Sequence, residues 1–155
     1  MPDGRTHGAT TMVLAIGTIP FVWDEPMLWT LPLGILFGIF MDPDLDLPGK
    51  TMSEARMRQV NPVLGQLWYW FWWPYAKMSH HRGISHVPVL GTGIRVVYLL
   101  WVPLLLYVIL LAGSVSMYPE FVVVMIGLAV SAFTGLCIAD GVHIAYDYIA
   151  SGGDA

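Results

Sequence analysis

"YPEFVVVMIGLAVSAFTGLCIADGVHIAYD", residues 118–147, decides how this chain is read. Residues 118–139 are almost wholly apolar and are long enough, at ~20 residues per crossing, for a helix to traverse a bilayer core. Pro119 stands where a first helical turn accepts it. Toward the end the stretch becomes polar without losing helical spacing. Asp140, His143 and Asp147 fall at i, i+3 and i+7, one stripe of side chains. On that stripe His143 and Asp147 can grip one ion, or Asp140 can orient His143 from behind. The same trio could equally serve as an interhelical hydrogen-bond cluster. Ionisable groups in such a segment carry function more often than not.

Three further apolar runs lie upstream, at residues 11–23, 27–41 and 92–112. The first two fall short of a full crossing unless their polar flanks each add a turn. The chain is 56% apolar and only 12% charged, with a mean hydropathy of +0.64, far from a soluble mixture. The expectation is one all-α integral membrane domain over residues 1–155. Its four transmembrane helices are placed at about 8–23, 27–42, 92–112 and 118–148. Residues 47–91 hold too many charges and prolines to span and form an interfacial connector. The cluster from Trp68 to Tyr75 supplies amphipathic rings of the kind that settle at headgroup level. Cys137 has no second cysteine to pair with, so no oxidising compartment is implied. The polar opening and the absence of a small-residue cleavage site argue against a signal peptide. A net charge of −4 and the lack of a basic tract exclude nucleic acid as a partner.

Threading the chain through four spans brings all five histidines and the aspartates of two motifs to one membrane face. The opposite face receives only Asp24, Glu25 and Glu120 as charges. All seven Lys and Arg residues fall on the histidine side or at the mouth of a span there. By the positive-inside rule that face, with both termini, is cytoplasmic.

Three motifs meet there besides the helical stripe: His7 near the start, "DPDLD" at residues 42–46, and "HHRGISH" at 80–86. Aspartates after an apolar helix are commonly only a solvated end, although anions at a helix C-terminus want a compensating cation. A basic loop with three histidines can face anionic lipid heads. Alternatively His81 and His86 can curl around a metal through Gly83. Together, carboxylates and imidazoles at one level form the donor set that binds zinc, manganese or iron, with too little sulfur for a thiolate site. Zinc is placed first.

The sequence "GRTH", then "DPDLD" ending an apolar helix, "WPYAKMSHHRGISH" leading into "GTGIRVVYLL", and a late "DGVHIAYD" resemble the DUF2227 family of metal-binding membrane proteins. That family is in turn similar to the YdjM-like membrane-bound metal-dependent hydrolases with their "HRG-x-[ST]-H" signature. More distantly, the pattern looks like the all-α zinc-dependent phospholipase C and P1 nuclease group. The resemblance covers nearly the whole chain and implies a metal site at His7, Asp44, Asp46, His81, His86, His143 and Asp147. Asp42, His80 and Asp140 are weaker candidates, His80 being an extra ligand or a surface residue. The family usually carries an acidic residue directly after the first histidine; Gly8 stands there in this chain.

Two functions follow. One is a metal-dependent hydrolase of phosphoesters or lipid headgroups at the cytoplasmic leaflet, with Arg82 steadying the anionic group. The other is a non-catalytic subunit in which a metal staples helix ends together within a larger membrane complex. An ion carrier is set aside because the last two spans offer no polar path, and a serine or cysteine nucleophile because neither Ser85 nor Cys137 has the setting of one.

Overall fold

The computed structural model describes residues 4–47, 49–79, 83–87, 89–111, 119–150 and 152. Among them every regular element is helical. Six α-helices, α1 (Gly4–Val22), α2 (Thr30–Phe37), α3 (Met52–Val60), α4 (Pro62–Met78), α5 (Leu90–Leu111) and α6 (Pro119–Ala150), alternate with three short 3-10 turns at Pro26–Leu28, Pro43–Asp46 and Ile84–His86.

Local chemistry sets most of these boundaries. Pro26 and Pro43 each open a 3-10 turn, where the missing N–H costs nothing. In "TMSE" Thr51 caps α3 by accepting from the Glu54 N–H at 3.1 Å, and Glu54 in turn accepts from Arg58 one turn later. Asn61 caps α4 by accepting from the Val63 N–H at 2.8 Å, with Pro62 at the first helical position.

The four-span expectation is not met. Among the described residues one segment, Val122–Ala150 within α6, is long and apolar enough to cross a membrane. Thr6–Val22, Pro26–Phe37 and Leu90–Trp101 are apolar but shorter. The second run fails for a clear reason. It breaks at Trp29 into a 3-10 turn and the eight-residue α2, which is only about 12 Å long.

α6 is the element on which the others assemble. Ala139 joins Ala15 of α1 and Ile35 of α2 in one buried cluster, and Leu136 joins Met41, Leu45, Trp72 and Tyr75 in another. α2 and α6 approach so closely that a Cβ on Gly34 would collide with the Ala132 carbonyl and one on Gly135 with the Leu31 carbonyl. Small residues at both contact lines permit this, as in tightly crossed membrane helices. Thr30 Oγ1 adds a hydrogen bond across the contact to the Leu128 carbonyl at 2.5 Å.

The aromatic connector is not a loop but two helices, and its rings divide between inside and outside. Trp72 and Tyr75 are buried against Tyr98 of α5, whose hydroxyl donates to the Phe71 carbonyl at 2.6 Å. Trp70 and Trp73 face outward.

Candidate metal centre

Four separate pieces of chain deliver imidazoles and carboxylates to one place. His7 comes from the first turns of α1, Asp44 from the 3-10 turn after α2, His86 from the turn before α5, and His143 with Asp147 from α6. Imidazoles and carboxylates alternate. Asp44 presents Oδ1 to His86 Nε2 at 3.7 Å and Oδ2 to His143 Nε2 at 3.5 Å. Asp147 presents Oδ2 to the same His143 nitrogen at 3.3 Å and Oδ1 to His7 Nε2 at 3.8 Å. The rings of His7 and His143 lie 4.6 Å apart between centroids.

These separations suit coordination better than hydrogen bonding. His143 Nε2 is buried and makes no hydrogen bond, although two carboxylates face it. Two donors each ~2.0–2.2 Å from one ion, at a tetrahedral angle, lie ~3.3–3.6 Å apart. The two contacts of His143 Nε2, to Asp44 and to Asp147, meet that condition, and one donor atom from each of the three residues falls within 4.8 Å of the others. His7 and His86 stand at the two ends of the chain of contacts, each on the far oxygen of one of those carboxylates. A divalent ion therefore fits the residues present, on both donor chemistry and the orphaned nitrogen.

His86 is prepared by its neighbours. Ser85 Oγ gives its single proton to Asp46 Oδ2 at 2.5 Å, so its 3.1 Å contact with His86 Nδ1 requires the imidazole N–H to donate. That tautomer leaves the lone pair on Nε2, the nitrogen turned toward Asp44. Asp46 thus points inward and fastens one 3-10 turn to the other, while Asp44 two residues earlier points to the site.

Asp140 is occupied elsewhere. It pairs with Arg95 and accepts from Thr92, both deep inside, and Arg95 also donates to the Ser85 carbonyl at 2.8 Å. This network holds α5, α6 and the His86 turn in register.

A cavity of about 180 Å³ opens on the centre, lined by His7, Asp42, Asp44, Asp140, His143 and Asp147, with Gly8 and Arg56 on another side. Asp42 is buried in its wall with Oδ1 making no hydrogen bond. Burial pushes its carboxyl up to about 7, with His143 pulling against the rise and the Asp44 charge adding to it. Burial also acts to raise Asp44, but the His143 and His86 imidazoles outweigh it and hold Asp44 well below the usual carboxylate range. His7 is lowered by burial and by the neighbouring His143, against the pull of Asp147 and Asp44.

Of the residues expected from the sequence, His7, Asp44, His86, His143 and Asp147 come together. Asp46 and Asp140 are engaged in bonds behind the site, and Asp42 lines the cavity. His80, His81 and Arg82 lie outside the described residues. Sequence reading missed Thr92, counted Arg56 and Arg95 only as basic residues on the histidine side or at a span mouth, and weighed Ser85 only as a nucleophile. The placement of Ser85 between Asp46 and His86 had no signal beyond adjacency to a histidine.

The model of the family of uncharacterized metal-binding proteins termed DUF2227 matches residues 2–154. An uncharacterized protein of Aquifex aeolicus (strain VF5) is 40% identical over 77 residues, which is 48% of this chain and 48% of the relative. The chain thus spans about half the length of the curated relative it matches. No solved structure matches. With a match across nearly its full length and a converged imidazole–carboxylate site, the chain belongs to the DUF2227 family of metal-binding proteins.

Proposed function

We propose that this protein is a membrane-bound, zinc-dependent hydrolase of phosphoester or lipid-headgroup substrates at the cytoplasmic face. One observation carries the reading: Asp44, His143, Asp147 and His7 border an open cavity instead of being sealed in the core, with His86 behind Asp44. Structural metal sites are closed, whereas catalytic ones keep a position for water and substrate. Asp44, His143 and Asp147 would hold the ion, with His7 and His86 at its flanks. Zinc suits nitrogen and oxygen donors in this number, and manganese or iron would accept them. A divalent ion there supplies Lewis acidity and a lowered water pKa. Asp42, buried in the cavity wall beside these donors, is the group placed to exchange a proton with a departing oxygen.

Membrane residence is supported by the outward apolar surface. Val13, Ile16 and Phe21 of α1, Leu33 of α2, Val97 and Leu100 of α5, and Val123, Ile126 and Val130 of α6 are all exposed. A surface of this kind needs lipid or a partner to cover it. Asp24 and Glu25 follow the far end of α1, about 25 Å from His7, while Arg56 packs against Gly8 and Arg95 pairs with Asp140 on the His7 side. That asymmetry favours a cytoplasmic site.

A second reading is a metal-stapled, non-catalytic subunit of a larger membrane complex. It is favoured by the origin of the ligands in four elements, which a bound ion would tie together. Metal analysis of detergent-purified protein, with turnover of bis(4-nitrophenyl) phosphate and of phosphatidic acid, tests both. Bound metal with turnover that chelator abolishes supports the hydrolase. Bound metal with a large thermal stabilisation and no turnover supports the staple, and reporter fusions reading the His7 face as external overturn the orientation.

A further inference from the structure

α4 is apolar on two opposite sides. On its inner side Trp72 and Tyr75 pack with Met41, Leu45 and Leu136, and Gly65 lies against Arg58 of α3. Helical periodicity gathers Val63, Leu67, Trp70 and Met78 on the side turned away from that core, where they are 65%, 61%, 59% and 69% exposed. A helix with an apolar outer face as well as an apolar inner one needs cover on both. The charge is one-sided too. α4 carries Lys77 and no acidic residue, and the sequence contains no Asp or Glu between Glu54 and Glu120. Lys77 holds Nζ 5.5 Å from the centre of the Trp73 ring, and Trp73 in turn packs on Trp70.

We propose that the outer face of α4, formed by Val63, Leu67, Trp70 and Met78 with Lys77 at its edge, docks flat on the anionic headgroup layer of a lipid leaflet. The inference rests on the membrane reading and deepens it by naming the face and the lipid. Apolar side chains on the outer face of a helix, Trp rings beside them and a Lys stem lying on one of those rings are what an interfacial helix uses to sit at the boundary between headgroups and chains. The charge selects the occupant. A basic face without carboxylates complements lipid phosphates, whereas a second copy of this chain docked face to face would set two such surfaces together and leave each Lys77 without an opposite charge on the partner's α4. The docking has a consequence for the metal centre. Leu45, packed with Trp72 and Tyr75 on the inner side of α4, belongs to the same 3-10 turn as Asp44. A surface-lying α4 therefore puts that turn about one helix diameter, ~10 Å, behind the headgroups.

The test uses full-length Cys137→Ala protein in nanodiscs of phosphatidylcholine, with or without phosphatidylglycerol. An environment-sensitive fluorophore is carried on a single cysteine introduced by Leu67→Cys or Trp70→Cys, or by Ile126→Cys on the exposed side of α6. Quenchers are a lipid nitroxide at headgroup level, a lipid nitroxide at the chain end, and aqueous iodide. In discs containing phosphatidylglycerol the two α4 probes are expected to shift to the blue, to be quenched most by the headgroup-level nitroxide and to be shielded from iodide. Lys77→Glu should reverse that shielding, and discs of phosphatidylcholine alone should show less of it. The substituted side chains on α4 are exposed, so the fold does not depend on them. Iodide quenching of both α4 probes without lipid quenching overturns the proposal. Shielding from iodide and from both nitroxides marks a protein partner and overturns it as well, as does strongest quenching from the chain end. Equal shielding in both lipid mixtures, unmoved by Lys77→Glu, removes the charge that selected the occupant and sinks it too. Failure of the membrane reading is distinct: the Ile126→Cys probe is then reached by neither lipid nitroxide, whereas failure of the α4 docking alone leaves that probe quenched from the chain end.

Discussion

Asp44 Oδ2 stands 3.5 Å from His143 Nε2, joining a 3-10 turn near the start of the chain to the last third of α6. The nitrogen makes no hydrogen bond there, and Asp147 confronts it from the other side. Asp44→Asn and His143→Ala are therefore expected to lower zinc affinity by on the order of 100-fold or more, read by competition with a chromogenic chelator. His86→Ala should cost less, since His86 faces the outer oxygen of Asp44. Wild-type protein should gain thermal stability with zinc, by about 2.7 kcal/mol at a hundredfold excess over Kd, and the first two variants should gain almost none. Full zinc occupancy in both would dissolve the centre.

Asp42 makes the metal-free chain sensitive to pH. Its folded pKa of about 7 lies above the unfolded value of 3.8, so the stabilisation is complete below about pH 4 and is lost as pH rises through 7. That difference corresponds to at most about 4 kcal/mol. His7 works in the opposite sense. Its lowered pKa stabilises the fold above 6.5 and loses that effect as pH falls through the folded value. Asp42→Asn should lessen the decline in melting temperature between pH 4 and 8 while leaving the His7 slope. An unchanged pH profile would mean that Asp42 is ionised throughout.

How far the sequence was legible depended on whether chemistry or packing set the answer. The i, i+3, i+7 stripe on α6 was readable because helical periodicity alone fixes which side chains share a face. The outer ligands were also readable, since "DPDLD" and "HHRGISH" are dense in donors. Roles within a motif were not. Asp44 and Asp46 look alike in sequence, and only the 3-10 turn opened by Pro43 sends one outward to His143 and the other inward to Ser85. Span counting erred for a related reason. Hydropathy sums over residues 27–41 without detecting that the helix stops at Trp29 and restarts. The rings from Trp68 to Tyr75 read as interfacial by composition, yet the period of α4 turns Trp72 and Tyr75 into the core.

The α2/α6 contact predicts what a single methyl does at a distance from the centre. Gly34 and Gly135 lie where each helix touches the other's backbone, so a Cβ has carbonyl, not a yielding side chain, to displace. Gly135→Ala should destabilise the protein by about 1–3 kcal/mol. Because α6 carries His143 and Asp147 while the turn after α2 carries Asp44, the same shift should weaken zinc binding with no ligand altered. Gly141→Ala on the same helix, with nothing near its Cβ, serves as the control and should be neutral or slightly stabilising. Equal behaviour of the two variants would remove the close contact as the cause.

Arg95 and Asp140 form a buried pair whose role is to place His86. Both side chains are nearly inaccessible, and Arg95 spends a second N–H on the Ser85 carbonyl. Removing either partner strands the other charge, so Arg95→Ala should cost about 3–5 kcal/mol. The informative variant changes both. Arg95→Met with Asp140→Leu replaces the pair by apolar groups of similar size and should recover most of that stability, as such replacements often do. It cannot restore the bond to Ser85. The Ser85 hydroxyl, which selects the His86 tautomer and anchors it to Asp46, then loses one of its supports. The double variant is thus expected to melt near wild type in chelator but to bind zinc about as weakly as His86→Ala. Wild-type zinc affinity in that double variant would show that the pair serves stability alone.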